Sequence, residues 1–104
     1  MSASQKRYKV NVSEKAKLMM RRHIRFLTNV SPTAAKKLQR KLDAGIKSLR
    51  LMPYRCPVCY AYETEDVYRR LIVDRRYQII FSVYEESSTV EIQQILDSRQ
   101  NNRI

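Results

Sequence analysis

The chain has 104 residues, of which 43% are hydrophobic and 30% charged, with one Gly, three Pro and two Cys. That is the composition of one small globular domain; it excludes collagen-like, low-complexity and disulfide-framework proteins and leaves no Gly-rich phosphate loop. Lys and Arg number 21 against 10 Asp and Glu, and residues 1–52 carry 14 of the cations against 2 acids while residues 53–104 carry 7 against 8, so the net +11 sits almost wholly in the first half.

A field of this sign favours a polyanion or an acidic protein as partner. No apolar run reaches the ~20 residues of a membrane span, and the opening MSASQKRYK lacks the apolar core of a signal peptide. The expectation is a cytoplasmic protein without membrane contact.

Residues 1–7 are polar and expected to be loose. Tyr8, Val10 and Val12 then alternate with Lys9 and Asn11, the period of a half-buried strand. Ser13 caps a helix over 13–29, with Glu14 at its positive end. Ala16, Met19, Met20, His23, Ile24 and Leu27 make its apolar stripe, and His23 on the edge reads as a packed side chain rather than a ligand. Ser31-Pro32 starts a second helix, over 31–51, with Ala35, Leu38, Leu42, Gly45, Ile46 and Leu49 inward. The short break between them makes an antiparallel hairpin. Gly45 costs ~1 kcal/mol relative to Ala in a helix interior, so close packing is its expected reason.

Pro53 ends the second helix. Residues 53–67 read as irregular, with a possible extended piece over 58–62. Strands follow at 68–73, 77–84 and 89–96, joined by turns at 74–76 and 85–88. In the last strand Val90 and Ile92 share a parity that Ile95 does not, which predicts a bulge at Gln93-Gln94. Residues 97–104 read as a polar tail. The order β-α-α-β-β-β predicts an α+β fold in which the helix hairpin covers one face of a small, mostly antiparallel sheet and leaves the other face for a site.

Recognised catalytic signatures are absent. Cys56 and Cys59 form one CxxC, half a zinc site, with no second pair to complete it, so no metal or cofactor is expected. Glu63, Glu65 and Asp66 read as ordinary loop carboxylates. Arg69, Arg70, Arg75, Arg76 and Arg99 all come from the sheet region, and Arg can grip phosphate through two parallel hydrogen bonds.

The run YRRLIVDRRYQIIFSVY over residues 68–84, followed by VEIQQILDSRQ over 90–100, resembles the RelE/ParE superfamily of bacterial toxins. YKVNVSEKA at 8–16, SPTAAKKL at 31–38, Ser48-Leu49 and Pro53-Tyr54-Arg55 extend the likeness over residues 8–101. The resemblance implies the toxin of a type II toxin–antitoxin module, of the kind also called a plasmid stabilisation protein, held in check by a cognate antitoxin. It implies two possible modes of growth inhibition. One is ribosome-dependent mRNA cleavage, as in RelE-like members; the other is poisoning of DNA gyrase without nuclease action, as in ParE-like members.

Carried over residue by residue, the nuclease pattern is incomplete. Its first strand Lys falls on Arg69 or Arg70, and its second on Leu71 or Ile72. The Arg after the strand Tyr is Gln78, the late Arg maps to Arg99, and the C-terminal Tyr has no counterpart. In relatives with a Glu/His/Tyr set, Asp97 stands where His is expected. The candidate catalytic residues are therefore Arg69, Arg70 and Arg99, with Arg75, Arg76 and Gln78 as target or nucleic-acid contacts. The reading put first is a toxin that acts by binding, with gyrase as the candidate target. Behind it stand an mRNA endonuclease with a substituted site and a basic binding module without remaining activity.

Overall fold

A computed structural model describes residues 6–61 and 66–100. The elements run β1 (Lys9–Val12), α1 (Glu14–Val30), α2 (Pro32–Ser48), β2 (Val58–Ala61), β3 (Val67–Val73), β4 (Tyr77–Tyr84) and β5 (Thr89–Asp97), with single 3-10 turns at Pro53–Arg55 and Ser98–Gln100. The sheet order is β1-β5-β4-β3-β2. β2, β3, β4 and β5 pair antiparallel, whereas β1 lies parallel to β5. The extended piece expected within residues 58–62 thus becomes a fifth strand at one edge.

Both helices start where side-chain oxygens satisfy the free N–H groups of a first turn. Ser13 Oγ accepts from Ala16 N at 3.0 Å, and Ser31 Oγ from Ala34 N at 3.2 Å. α2 stops at Ser48, three residues short of the expected end, where the chain tightens into i→i−3 bonds from Leu49 N to Ile46 O, Arg50 N to Lys47 O and Leu51 N to Ser48 O, and Arg55 braces the exit. The Arg55 guanidinium donates to the oxygens of Leu51 at 2.9 Å and Met52 at 3.2 Å and to Ser48 Oγ at 2.8 Å. Met52 takes a left-handed conformation (φ 52°) and turns the chain into Pro53.

Strand partners in register share a sheet face. Leu71, Val73, Ile79, Phe81, Val90, Ile92 and Ile95 therefore lie on the helix side. They pack with Ala16, Leu38, Leu42 and Leu49 into one core. The expected core residues Leu38, Leu42, Leu49, Ile79 and Phe81 are all buried. A Cβ on Gly45 would lie 3.1 Å from Val73 Cγ2 and 3.4 Å from Leu71 and Ile79, so the glycine lets α2 sit close on the sheet.

The predicted bulge is present: Ile80 faces Gln94 and Phe81 faces Ile92, leaving Gln93 extra. That insertion returns Ile95 to the core side. The terminal stretches are tied in further than their polarity suggests. Lys6 pairs with Glu85, and Arg7 bridges to Leu51. Asp97, expected in the tail, is 5% exposed and ends β5. The carboxylates Glu63 and Glu65 lie outside the described residues.

Candidate functional site

The sheet face away from the helices carries Tyr68, Arg70 and Ile72 from β3. From β4 come Gln78, Ile80, Ser82 and Tyr84, and from β5 Glu91, Gln94 and Leu96. Ile80 and Ser82 are buried in its floor, and Ser82 Oγ donates to Val67 O at 3.0 Å. Around them stand polar groups that hold one another. Arg70 donates to Gln78 Oε1 at 3.4 Å, and Gln78 Nε2 donates to Ser98 Oγ at 2.8 Å. Exposed Ile72 borders this chain of bonds, with Gln78 as its register partner. Arg99 is exposed beyond Ser98, and its guanidinium makes no ion pair among the described residues.

The six residues singled out from sequence separate into two groups. Arg70, Gln78 and Arg99 belong to the open face and the segment that closes its end. Arg69 does not: its register partner is Phe81, so it points to the helix side. There its guanidinium donates to Cys56 O at 2.8 Å and lies over the Tyr54 ring at 4.9 Å. Arg76 is likewise committed, with Nε and Nη2 donating to the two Asp97 oxygens at 3.1 and 2.9 Å. Arg75 stands exposed in the β3–β4 turn, where it and Asp74 both take positive φ (61° and 57°).

The Asp97 carboxylate is taken by Arg76; Arg99 contributes only a backbone N–H, at 3.0 Å. Burial alone would push the Asp97 pKa up. The Arg76 guanidinium and the Arg99 N–H outweigh it and hold the carboxyl below its ordinary value.

Groups suited to proton transfer are poorly placed. His23 lies on the helix side, with Nε2 donating to Ile95 O at 2.7 Å and its ring 5.5 Å from that of Tyr77. Burial pushes the Tyr84 hydroxyl up, away from use near neutrality. Cys56 is buried and its thiol is pushed up by burial, so it is a poor nucleophile. Cys59 Sγ contacts Tyr68 O at 3.4 Å. Among the described residues, no three His, Cys, Asp or Glu converge to hold a metal ion.

One cluster escaped sequence reasoning. Glu85, in the β4–β5 turn, accepts from Lys6, from Tyr8 Oη at 3.0 Å and from Tyr54 Oη at 2.7 Å. The bonds from Lys6 and Tyr54 lower the Glu85 carboxyl to about 2, and the bond to Glu85 raises Tyr54 to about 12. The cluster joins the N-terminal segment, the Pro53–Arg55 turn and the β4–β5 turn, so it is a clasp at one end of the sheet. With Arg55 on α2 and Arg69 on Tyr54, the Pro53-Tyr54-Arg55 motif is structural throughout.

The family described as the ParE toxin of the type II toxin–antitoxin system parDE matches residues 10–102. The chain belongs to the ParE toxin family. It is thus the toxin component of a type II toxin–antitoxin system, and its α+β architecture is that of ParE and RelE toxins. A solved structure from the chromosomal ParDE system of P. aeruginosa superposes with a TM-score of 0.70 at 16% identity, covering 86% of this chain and 95% of the other. The RelBE2 toxin–antitoxin complex of Mycobacterium tuberculosis superposes with a TM-score of 0.59 at 14% identity, covering 92% and 97%. At such identities the likeness speaks to the fold. No curated protein sequence matches the chain. No helix of the described toxin is long and apolar enough to cross a membrane.

Proposed function

We propose that this ParE-family toxin halts growth by binding its target through the open sheet face, with DNA gyrase as the target, and not by cutting RNA. The observation that carries the reading is Ile72. A nuclease of this fold would need cations and a proton-transfer pair on this face; here an exposed apolar side chain lies beside a non-titrating amide, Gln78. Cleavage through a 2′-OH requires a base and an acid near their working pKa. The chain's one imidazole is on the far side of the sheet. An apolar side chain on the strand next to Arg70, paired with the amide Gln78, suits a protein surface better than a phosphate.

The partner that holds the toxin in check is a cognate antitoxin, in keeping with the ParDE and RelBE complexes that share the fold. Its docking place is the cleft of about 360 Å³ lined by Met19, Arg22, His23, Phe26, Tyr77 and Asp97, the last already paired with Arg76. Phe26 is 60% exposed and Val30 70%, one turn further on α1. Arg22 lines the cleft beside Phe26. An amphipathic segment with acidic side chains beside its apolar anchors fits this surface in both charge and shape. Phe26→Asp should weaken antitoxin capture at least tenfold, the ~1.4 kcal/mol or more expected of a lost aromatic anchor. Unchanged affinity would place the antitoxin elsewhere.

The target is tested with toxin freed of antitoxin, in gyrase supercoiling and in translation on programmed ribosomes. Inhibited supercoiling with intact mRNA is expected. mRNA cut at ribosome-defined positions, with gyrase unaffected, would replace this reading by the nuclease one.

A further inference from the structure

Most of the chain's charge asymmetry lies outside the open face and outside the antitoxin cleft, which takes only Arg22 of it. Residues 14–50, the helix hairpin and its exit, hold 11 Lys or Arg and 2 acids. Two of those cations are neutralised by neighbours: Lys17 by Glu14 at 3.3 Å and Lys41 by Asp74 at 2.9 Å. Lys36, Arg40 and Lys47 follow one another at helical spacing along the outside of α2, opposite the buried stripe of Leu38 and Leu42. Arg21 and Arg25 occupy the outside of α1. All five are exposed, and none has an ion pair among the described residues.

We infer that this outward face of the helix hairpin binds the phosphodiester backbone of a nucleic acid, through Lys36, Arg40 and Lys47 with Arg21 and Arg25 beside them. At 1.5 Å rise per residue the α2 row is about 16 Å long, and its first two members are separated by about 6 Å. Duplex DNA presents one phosphate charge per ~1.7 Å of axis, so a row of that length faces many phosphates at once.

The composition of the face decides against a protein partner. Protein interfaces take their affinity from buried apolar anchors. Beside the cations of α2 stand Thr33, Ala44 and Ser48, with one acid, the exposed Asp43, between Arg40 and Lys47, and on α1 Leu18 is the one half-exposed large apolar side chain among the cations. The cleft at Phe26 shows what an anchoring surface on this molecule looks like, and it lies on a different side of α1. Backbone binding needs no apolar anchor, because release of counterions supplies the free energy. Such contacts carry no sequence information, so they would concentrate the toxin on nucleic acid without choosing a site.

The test is fluorescence anisotropy of the whole toxin with a 20-base-pair DNA duplex and with a single-stranded RNA of the same length, from 50 to 200 mM KCl. The Lys36→Gln, Arg40→Gln, Lys47→Gln variant is measured alongside. Five contacts give a log–log salt slope of about −4.5 on duplex DNA and a loss of affinity of roughly 500-fold over that range. The triple variant should fall to a slope of about −2 and a loss of roughly tenfold. It should keep wild-type circular dichroism and antitoxin capture, since these side chains touch neither the core nor the cleft. The nucleic acid bound more tightly by the wild type names the source. Absence of binding at 50 mM KCl would overturn the inference. So would an unchanged slope in the triple variant, or displacement by polyglutamate at equal charge concentration.

Discussion

Arg76 and Asp97 show how sequence position and chemical role part company. Arg76 looked like a solvent-facing turn residue and Asp97 like the start of a tail. Together they form a two-pronged ion pair in which the Asp97 side chain is 3% exposed. Removing one partner leaves a buried charge uncompensated, whereas replacing both removes the desolvation cost as well. Arg76→Ala should cost about 3 kcal/mol, lowering the melting temperature by roughly 15 °C in a domain of this size. Arg76→Met combined with Asp97→Leu should recover most of that. A melting temperature unmoved by Arg76→Ala would show the pair to be dispensable.

The Glu85 clasp gives a pH signature at the same scale. The Glu85 carboxyl is lowered from its ordinary 4.5 to about 2, so its contribution is present above pH 4.5 and lost as pH falls toward 2. Tyr54 is raised from 10 to about 12, so its contribution is present below pH 10 and lost as pH rises toward 12. Stability from the clasp should be flat between those limits. Tyr54→Phe should abolish the latest-titrating tyrosinate in an ultraviolet titration and raise the Glu85 midpoint. A Glu85 midpoint still near 2 in that variant would assign the shift to Lys6 and Tyr8 without Tyr54.

At the scale of elements, local patterning was a good guide and long-range pairing was not. The caps Ser13 and Ser31, both apolar stripes and the three long strands all follow from period and capping chemistry. The change of parity between Ile92 and Ile95 was enough to place the bulge at Gln93. The parallel pairing of β1 with β5 joins the two ends of the chain, and no local pattern encodes it. Arg69 was legible after all: it shares parity with Leu71 and Val73, both on the helix side, so alternation alone excludes it from the open face. The carriers of its environment, Tyr54 and Cys56, come from a segment that reads as irregular.

The β3–β4 turn also lacks the usual signal. Asp74 and Arg75 both take the left-handed region that favours Asn-Gly or Asp-Gly. Arg75→Gly should relieve about 1 kcal/mol of backbone strain and raise the melting temperature by several degrees. It also deletes a candidate contact, so retained growth arrest in the stabilised variant would remove Arg75 from the target surface. A fall in melting temperature would mean that the Arg75 side chain contributes more than its backbone costs.

Across the whole molecule, charge and apolar surface are segregated. A nearly acid-free helix hairpin carries most of the net +11, an apolar cleft opens along α1 at Phe26, and the open sheet face presents exposed Ile72 beside Gln78. The family was legible in the order and spacing of short motifs spread over residues 8–101, and the family match over 10–102 agrees with that extent. The site was only half legible, because a substitution such as Gln78 for Arg tells what is missing and not what the face has become. The central claim, inhibition by binding without RNA cleavage, meets its most direct test in mapping mRNA 5′ ends genome-wide in cells where the antitoxin has been depleted. Growth arrest without new ends phased to ribosomes is the predicted result; ribosome-phased ends that disappear with Arg99→Ala would contradict it.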